Sequence, residues 1–311
     1  MNRKILESSL DDIEVDNDYE LCLPKPNFNY DECCKDNFDA DTITARKIVK
    51  NYDGHKLNFS YLMITSLPKI PDGCKTLNLN FCKNIDYLPQ LPDSIENLYL
   101  DMTHISSIEC LPKNLRIIKL KDCTSLTEIN AFPDSLEEIY LNQSSIKKLP
   151  VLPMNLRILY INDCKYLTDL PALPAKMKEI HVQGSRLKHI GPFPDTLTII
   201  NLSHSAIETV TNLPNNLKKF YSTNTKIRDL PFIPESLEFI DFDYQTVFPP
   251  MPEHVICWGI DESNRKELAD QWIKERNKRK HTILEQELKL TVLAKNAYCD
   301  LEQNLLGQQD T

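Results

Sequence analysis

An apolar–proline pair returns along this chain at nearly constant intervals. Pro71, Pro92, Pro112, Pro133, Pro153, Pro174, Pro194, Pro214 and Pro234 follow one another at spacings of 20 or 21 residues, and Pro252 closes the series. Residues 111–172 display the unit most plainly, as LPKNLRIIKLKDCTSLTEINA, FPDSLEEIYLNQSSIKKLPV and LPMNLRILYINDCKYLTDLPA. Self-similarity at a fixed short period is the mark of a solenoid. Such a chain grows in one direction, and each unit buries its apolar side against its neighbours rather than in one large central core.

The spacing within a unit sets its local structure. Apolar residues follow the pattern LxxLxLxx(C/S/T), with a further apolar residue two or three places on. Leu136, Ile139, Leu141, Ser144 and Ile146 show the short form; Leu115, Ile118, Leu120, Cys123 and Leu126 show the form with one extra turn residue. The apolar–x–apolar centre predicts a short strand with two inward side chains, and identical units should stack these strands into a parallel sheet. At the ninth position Ser, Thr or Cys either bonds to the turn backbone or fits a tight space. The return limb, as in KKLPVLP, carries two prolines three residues apart. Proline fixes φ near −65°, so this limb should be extended or polyproline-like rather than α-helical. Twenty residues also leave too little chain for a full helix and its turns.

Cysteine usage follows the same period. Cys82, Cys123 and Cys164 lie 41 residues apart, at equivalent places in every second unit, each with the extra turn residue. Strands about 4.8 Å apart put these sulfurs roughly 10 Å from one another, whereas a disulfide needs Cα atoms within about 7 Å. They therefore read as small buried thiols in a reducing, cytoplasmic compartment. The N-terminus turns acidic before a signal peptide's apolar core could form, and no run approaches a membrane span.

This pattern resembles the leucine-rich repeat superfamily, whose signature is LxxLxLxxN/CxL. The 20-residue unit and its LPxLP return limb are most similar to the short bacterial-effector subclass of the YopM, IpaH and SspH type. The match covers roughly residues 51–260 and departs from the subclass at the ninth position, where Cys, Ser or Thr replaces the usual Asn. The resemblance implies a horseshoe-shaped repeat solenoid, with a parallel β-sheet on its concave face, extended convex limbs and helical caps. It also implies protein binding, with host cytoplasm as the setting; the Lys-, Asn- and Ile-rich, Gly-poor composition would also suit a giant virus, an intracellular bacterium or a protist.

Four segments follow from this reading. Residues 1–40 are acidic, aperiodic and expected to be disordered. Residues 1–41 hold twelve acidic and four basic side chains, a balance of −8 that leaves only −1 for the other 270 residues, so a general nucleic-acid surface is not expected. Cys22, Cys33 and Cys34 fall in this segment, where no histidine accompanies them to build a metal site. Residues 41–53 form an N-terminal cap, with Asp41 capping a helix over Thr42–Lys50 that carries Ile43, Ile48 and Val49. Residues 54–260 hold about ten repeats, ending in a degenerate unit with Val255 and Trp258. Residues 261–311 lose proline and turn helical, which predicts a C-terminal cap carrying Leu268 and Trp272, or a helix for weak self-association of an otherwise monomeric chain. Within it, the run KERNKRKH at 274–281 reads as a solvated helix face more readily than as a nuclear-import patch.

No phosphate-binding, dinucleotide, HExxH or GxSxG motif is present, and no cofactor, metal site or catalytic residue is expected. The ubiquitin ligases of the resembling subclass carry a Cys-x-Asp nucleophile in a large helical domain. Here Cys299 and Asp300 are adjacent, and some fifty residues after the repeats are too few for that domain. His181, His189 and His204 read as surface histidines without carboxylates at metal spacing. What remains is a binding surface, without enzymatic activity. Strand side chains alternate, so one residue per unit points outward between the two buried ones: Asn58, Asn78, Tyr99, Lys119, Tyr140, Tyr160, His181, Asn201, Tyr221 and Asp241. Four tyrosines among these ten far exceed the chain's 12 in 311. Two places earlier stand Ile117, Ile158 and Ile199, again 41 apart. A ladder of Tyr and Ile facing solvent has the composition of interface hot spots, although β propensity also favours tyrosine there. The expected protein-binding residues are therefore Tyr99, Lys119, Tyr140, Tyr160, His181, Tyr221, Ile117, Ile158 and Ile199. The alternative is the substrate-recognition or adaptor part of a ubiquitin-ligase-type system whose catalysis sits on another chain.

Overall fold

The computed structural model describes residues 38–228, 230–242, 252, 254–258, 270 and 274. Its elements follow the sequence period. After helix α1 (Phe38–Lys50) come β1 (Lys56–Asn58), β2 (Thr76–Asn78), β3 (Asn97–Tyr99), β4 (Ser107–Ile108), β5 (Ile117–Lys119), β6 (Glu128–Ile129) and β7 (Glu138–Tyr140). The series continues with β8 (Ile158–Tyr160), β9 (Glu179–His181), β10 (Ile199–Asn201), β11 (Lys219–Tyr221), β12 (Phe239–Asp241) and β13 (Ile256–Trp258). Eleven of these strands pair in parallel, in the order β1-β2-β3-β5-β7-β8-β9-β10-β11-β12-β13, while β4 and β6 form a separate two-stranded ladder in the return limbs. The fold is a parallel solenoid in which each unit gives one strand to the main sheet, as the spacing predicts. No helix occurs within the described return limbs.

Three backbone devices turn each unit, and each traces to a sequence position. The anchor proline's carbonyl accepts the N–H three residues on, as in Leu115 to Pro112 (3.2 Å), Leu136 to Pro133 (3.1 Å) and Leu156 to Pro153 (3.0 Å). This closes a tight turn that feeds the strand. The strand follows, and its middle residue (Leu98, Ile118, Ile139, Leu159, Ile180) is fully buried between two half-buried neighbours. The chain then leaves the sheet through one left-handed residue per unit: Tyr61, Phe81, Met102, Asp122, Gln143, Asp163, Gly184, His204 and Asn224, with φ between 56° and 68°. Their N–H groups donate to the next unit, as in Phe81 to the Asp101 carbonyl and Gln143 to the Asn162 carbonyl, both 2.8 Å. A left-handed conformation is unfavourable for a residue with a Cβ, so these inter-unit bonds hold it in place.

Just before that turn runs a ladder of amide and carboxylate side chains. Asn80 Oδ1 accepts the Asp101 N–H, Asp101 Oδ1 accepts the Lys121 N–H, Asn142 Oδ1 accepts the Asn162 N–H and Asn162 Oδ1 accepts the Gln183 N–H, at 2.8–3.0 Å. Each side chain satisfies a backbone donor of the following unit, which would otherwise be left unpaired beneath the turn.

The core is a set of rows rather than a ball. Leu115, Ile118, Leu120, Cys123 and Leu126 are all fully buried, as are Leu136, Ile139, Leu141 and Ile146 one unit on. Each such side chain contributes about 1.5–3 kcal/mol relative to exposure. The ninth-position cysteines are buried free thiols. Their Sγ atoms donate backwards to the preceding unit, Cys82 to the Phe59 carbonyl (3.0 Å), Cys123 to Leu100 and Cys164 to Leu141 (both 3.1 Å). Thr103 and Ser144 stand between them, 3.6 Å from the Cys123 sulfur and 3.4 Å from the Cys164 sulfur. Further on, the hydroxyls of Ser185 and Ser205 are buried with no hydrogen-bond partner. The ninth position therefore does both things expected of it, bonding to backbone in some units and merely fitting in others.

Two details of the ends differ from expectation. Helix α1 starts at Phe38 rather than Thr42, so Asp41 lies within the helix; its Oδ2 accepts the Met63 N–H at 2.7 Å and ties the helix to the first repeat. Ala45 faces the core, with Ile48 and Val49 packed against it, while Ile43 is exposed. At the far end β13 pairs with β12 so that Cys257 stands opposite Ile240 and Trp258 opposite Asp241. Cys257 thus takes the strand's central place, because this unit is shortened between Val255 and the strand. Of the expected disordered segment only residues 38–40 are described, and they are helical; its cysteines, and Leu268 and Trp272 of the expected C-terminal cap, lie outside the described residues.

Candidate functional site: the open face of the sheet

In-register pairing converts the repeat into rows of like-placed side chains. Tyr99, Lys119, Tyr140, Tyr160 and His181 follow one another across β3, β5, β7, β8 and β9. The Lys119 Nζ lies 5.4 Å from the Tyr99 ring centre and 5.3 Å from that of Tyr140, so one cation is held between two rings. Tyr140 stacks on Tyr160 at 5.1 Å and 20°, and Tyr160 on His181 at 4.0 Å and 8°. Five of the expected binding residues thereby form one continuous column. It stops at Asn201, which turns back to accept the Ser203 N–H at 3.1 Å. Tyr221 stands apart from the column and leans on Phe239 at 5.1 Å and 39°.

Two residues earlier in each strand, on the same face, a second row alternates by chemistry: Ile117, Glu138, Ile158, Glu179, Ile199. All five are half-buried. The three isoleucines are not brought into one apolar patch, because a glutamate separates each from the next. Glu138 and Glu179 were the residues that the sequence reading passed over, although their own 41-residue spacing carried the signal. Glu138 Oε2 accepts the Tyr140 hydroxyl at 3.0 Å, and Glu179 Oε2 accepts the Tyr160 hydroxyl at 3.3 Å. The same Glu179 oxygen lies 3.6 Å from His181 Nε2, too far for a hydrogen bond, so that buried nitrogen has no hydrogen-bond partner. His181 is thus no ordinary surface histidine: it is mostly covered by Tyr160 and faces a carboxylate. His189 and His204 are exposed, as expected.

These contacts fix the charge states of the face. Burial pushes the Tyr140 and Tyr160 hydroxyls far up, and the carboxylates of Glu138 and Glu179 add to it. Tyr221 is raised by burial and then by Asp241. The His181 imidazole holds the Glu179 carboxyl below the ordinary carboxylate range, against the opposing effect of burial. At neutral pH the Tyr140 and Tyr160 phenols are neutral and braced by carboxylates. Because the rings stack along the solenoid axis, their faces are used on one another. An approaching molecule meets ring edges, carboxylate oxygens and isoleucine methyls.

Beside the strands runs a second, wholly charged row. Lys75 pairs with Glu96, Arg116 with Glu137 (2.9 Å), Arg157 with the same Glu137 (3.9 Å), and Lys218 with Glu238 (3.1 Å). Arg116, Glu137, Arg157 and Lys176, with Asn114, Ser135 and Asn155, line an open groove of about 630 Å³. Exposed pairs of this kind contribute about 0–1 kcal/mol each. Among the described residues no group of three His, Cys, Asp or Glu side chains is placed to hold a metal ion, and no helix is long and apolar enough to cross a membrane.

Comparison with known proteins accords with the repeat. Residues 104–144 match the FNIP Repeat family. No curated protein sequence matches the chain. Among solved structures, YopM from Yersinia enterocolitica WA-314 is 21% identical with a TM-score of 0.47, over 62% of this chain and 47% of that one. YopM from Yersinia pestis, described as a leucine-rich effector protein, is 22% identical with a TM-score of 0.36, over 70% and 80%. A Shigella effector LRR domain is 16% identical with a TM-score of 0.33, over 66% and 75%. The chain thus spans just under half the length of the first of these proteins. The repeating LxxLxLxx(C/S/T) units and their single parallel sheet make the chain a repeat solenoid, and its residues 104–144 are similar to the FNIP Repeat.

Proposed function

We propose that this chain is a non-enzymatic binding module, and that a protein partner docks on the open face of the sheet over β3 to β10. One observation carries the reading: the only long run of ordered aromatic stacking among the described residues lies on that face, from Tyr99 to His181. A pre-stacked column loses little side-chain entropy on binding, which is the property that makes rigid aromatic surfaces good anchors. Leucine-rich-repeat folds commonly serve as interaction modules, and the absence of catalytic motifs in the sequence agrees with that use. The partner would meet Tyr99, Lys119, Tyr140, Tyr160 and His181 together with Ile117, Ile158 and Ile199, while Tyr221 lies outside the column and would contribute least.

The test compares two single charge insertions during capture of partners from lysate. Ile158→Arg places a cation at the centre of the face; Val151→Arg does the same on the exposed return limb. Proteins retained by the unmodified chain and by the Val151 variant, but lost with the Ile158 variant, would support the reading. Equal retention by both variants would put binding elsewhere.

A further inference from the structure

The alternation Ile117, Glu138, Ile158, Glu179, Ile199 gives the face a period of two strands, and that period specifies more than a generic protein surface. Neighbouring strands lie about 4.8 Å apart, so the Glu138 and Glu179 backbones stand about 10 Å from each other along the solenoid axis. A polyproline II segment repeats its side-chain direction every third residue, about 9 Å along its axis. A β-strand does so every second residue, about 7 Å. Only the former would set successive like-facing side chains over Glu138 and then Glu179.

The charges on the face select the sign of those side chains. Of the cations beside the sheet, Arg116 and Arg157 are engaged with Glu137 and Lys218 with Glu238, while Lys219 acts on Glu179 from two strands away. Glu138, by contrast, is joined to the neutral Tyr140 hydroxyl. Glu179 is joined to the Tyr160 hydroxyl and faces the His181 ring. Each carboxylate is therefore oriented by its tyrosine within a half-buried row, where an added donor gains a charge-assisted bond. Ile158 stands between them and offers aliphatic contact. Because the ring faces are spent on stacking, a cation would bind through the carboxylates and not by lying over an aromatic ring.

Resting on the docking face proposed above, we infer that its occupant is a cationic polyproline II segment of a partner protein, with Lys or Arg at every third residue, laid along the solenoid axis across β7, β8 and β9. Successive basic side chains bond to Glu138 and Glu179, and the intervening turn of the peptide packs on Ile158. Lys119 on one side and Lys219 on the other bound the acidic stretch and set its length.

Fluorescence anisotropy with the full chain tests this, using labelled synthetic peptides on a proline scaffold. One carries Arg at every third residue, a second the same number of Arg at every second residue, and a third Glu at every third. The first should bind, weaken as salt is raised, and bind about tenfold or more less well to the Glu138→Gln/Glu179→Gln chain. Lys219→Gln, which removes a bordering like charge, should tighten it, so the idea remains testable even if the double variant folds poorly. The inference is overturned if the Arg-every-third peptide binds no better than either other peptide, or equally well to the double variant. It is also overturned if sedimentation shows a dimer of the chain that Ile158→Arg dissolves, since a second copy would then occupy the face. Peptide failure alongside loss of lysate capture by Ile158→Arg would leave the docking face standing and remove only its cationic ligand.

Discussion

The imidazole of His181 lies flat on the ring of Tyr160, 4.0 Å away and within 8° of parallel. Neither residue is a loose surface contact, then, and each supports the other's stability as well as any function. From sequence alone, outward strand tyrosines should be replaceable with little loss of stability. In the folded chain Tyr140 and Tyr160 are half-buried, stacked and hydrogen-bonded. Tyr160→Ala should therefore destabilise the solenoid by about 1–2 kcal/mol, whereas Tyr160→Phe, which keeps the stack and loses only the Glu179 bond, should cost about 1 kcal/mol or less. Urea melts of the two variants check this; equal losses would mean that the hydroxyl and not the stack matters.

Acid should act through Glu179. Its folded carboxyl titrates below the ordinary carboxylate value because the His181 imidazole faces it. A depressed folded value adds stability that is complete above the unfolded carboxylate range and is lost as pH falls through the folded value. Stability measured from pH 6 downward should thus decline below about pH 4.5, and Glu179→Gln should flatten part of that slope. An unchanged slope would show that His181 does not hold the carboxylate.

The ladder thiols should be inert in the folded protein. Burial pushes Cys82 up to about 12 and Cys123 up to about 11, and raises Cys164 as well. Thiolate is the reactive species, so alkylation of the native chain should label exposed Cys110 and spare these three, with all of them labelled after unfolding. Labelling of Cys123 at the rate of Cys110 would contradict its burial.

Gly184 is the single glycine in the left-handed series, and its neighbour explains it. A Cβ there would meet Asp163 Oδ1 at 2.1 Å. The equivalent places hold Gln143 and His204 without glycine, so the turn itself tolerates a side chain. Gly184→Ala should cost about 1–2 kcal/mol, and adding Asp163→Ala should recover most of it. Thermal melts of the single and double variants decide whether the carboxylate or the backbone angle sets the cost.

The limits of legibility in the sequence have a physical pattern. Period, strand position and inward residues were all readable, because burial enforces them in every unit: Leu115, Ile118 and Leu120 have no alternative face. The column of Tyr99, Lys119, Tyr140, Tyr160 and His181 was also readable as a set, since alternation fixes which residues point outward. What each does there was not. Stacking, the Glu138 and Glu179 braces and the mostly covered His181 depend on rotamers and on which neighbour stands one strand away. The Asn80–Asp101 ladder was missed for a related reason. The familiar asparagine place, the ninth, holds Cys, Ser or Thr, and the amide function has moved two residues earlier, outside the expected signature.

The alternation also sets a rule for how such a chain can gain or lose length. From Cys82 to Cys164, the buried row reads Cys, Thr, Cys, Ser, Cys; over β5 to β10, the outward row reads Ile, Glu, Ile, Glu, Ile. Removing one unit of 20 or 21 residues from this stretch would bring like residues together, Cys beside Cys in the core and Ile beside Ile or Glu beside Glu on the face. Removing two leaves every neighbour relation intact. The heritable module here is thus the pair of units, and the FNIP Repeat match, residues 104–144, spans one such pair.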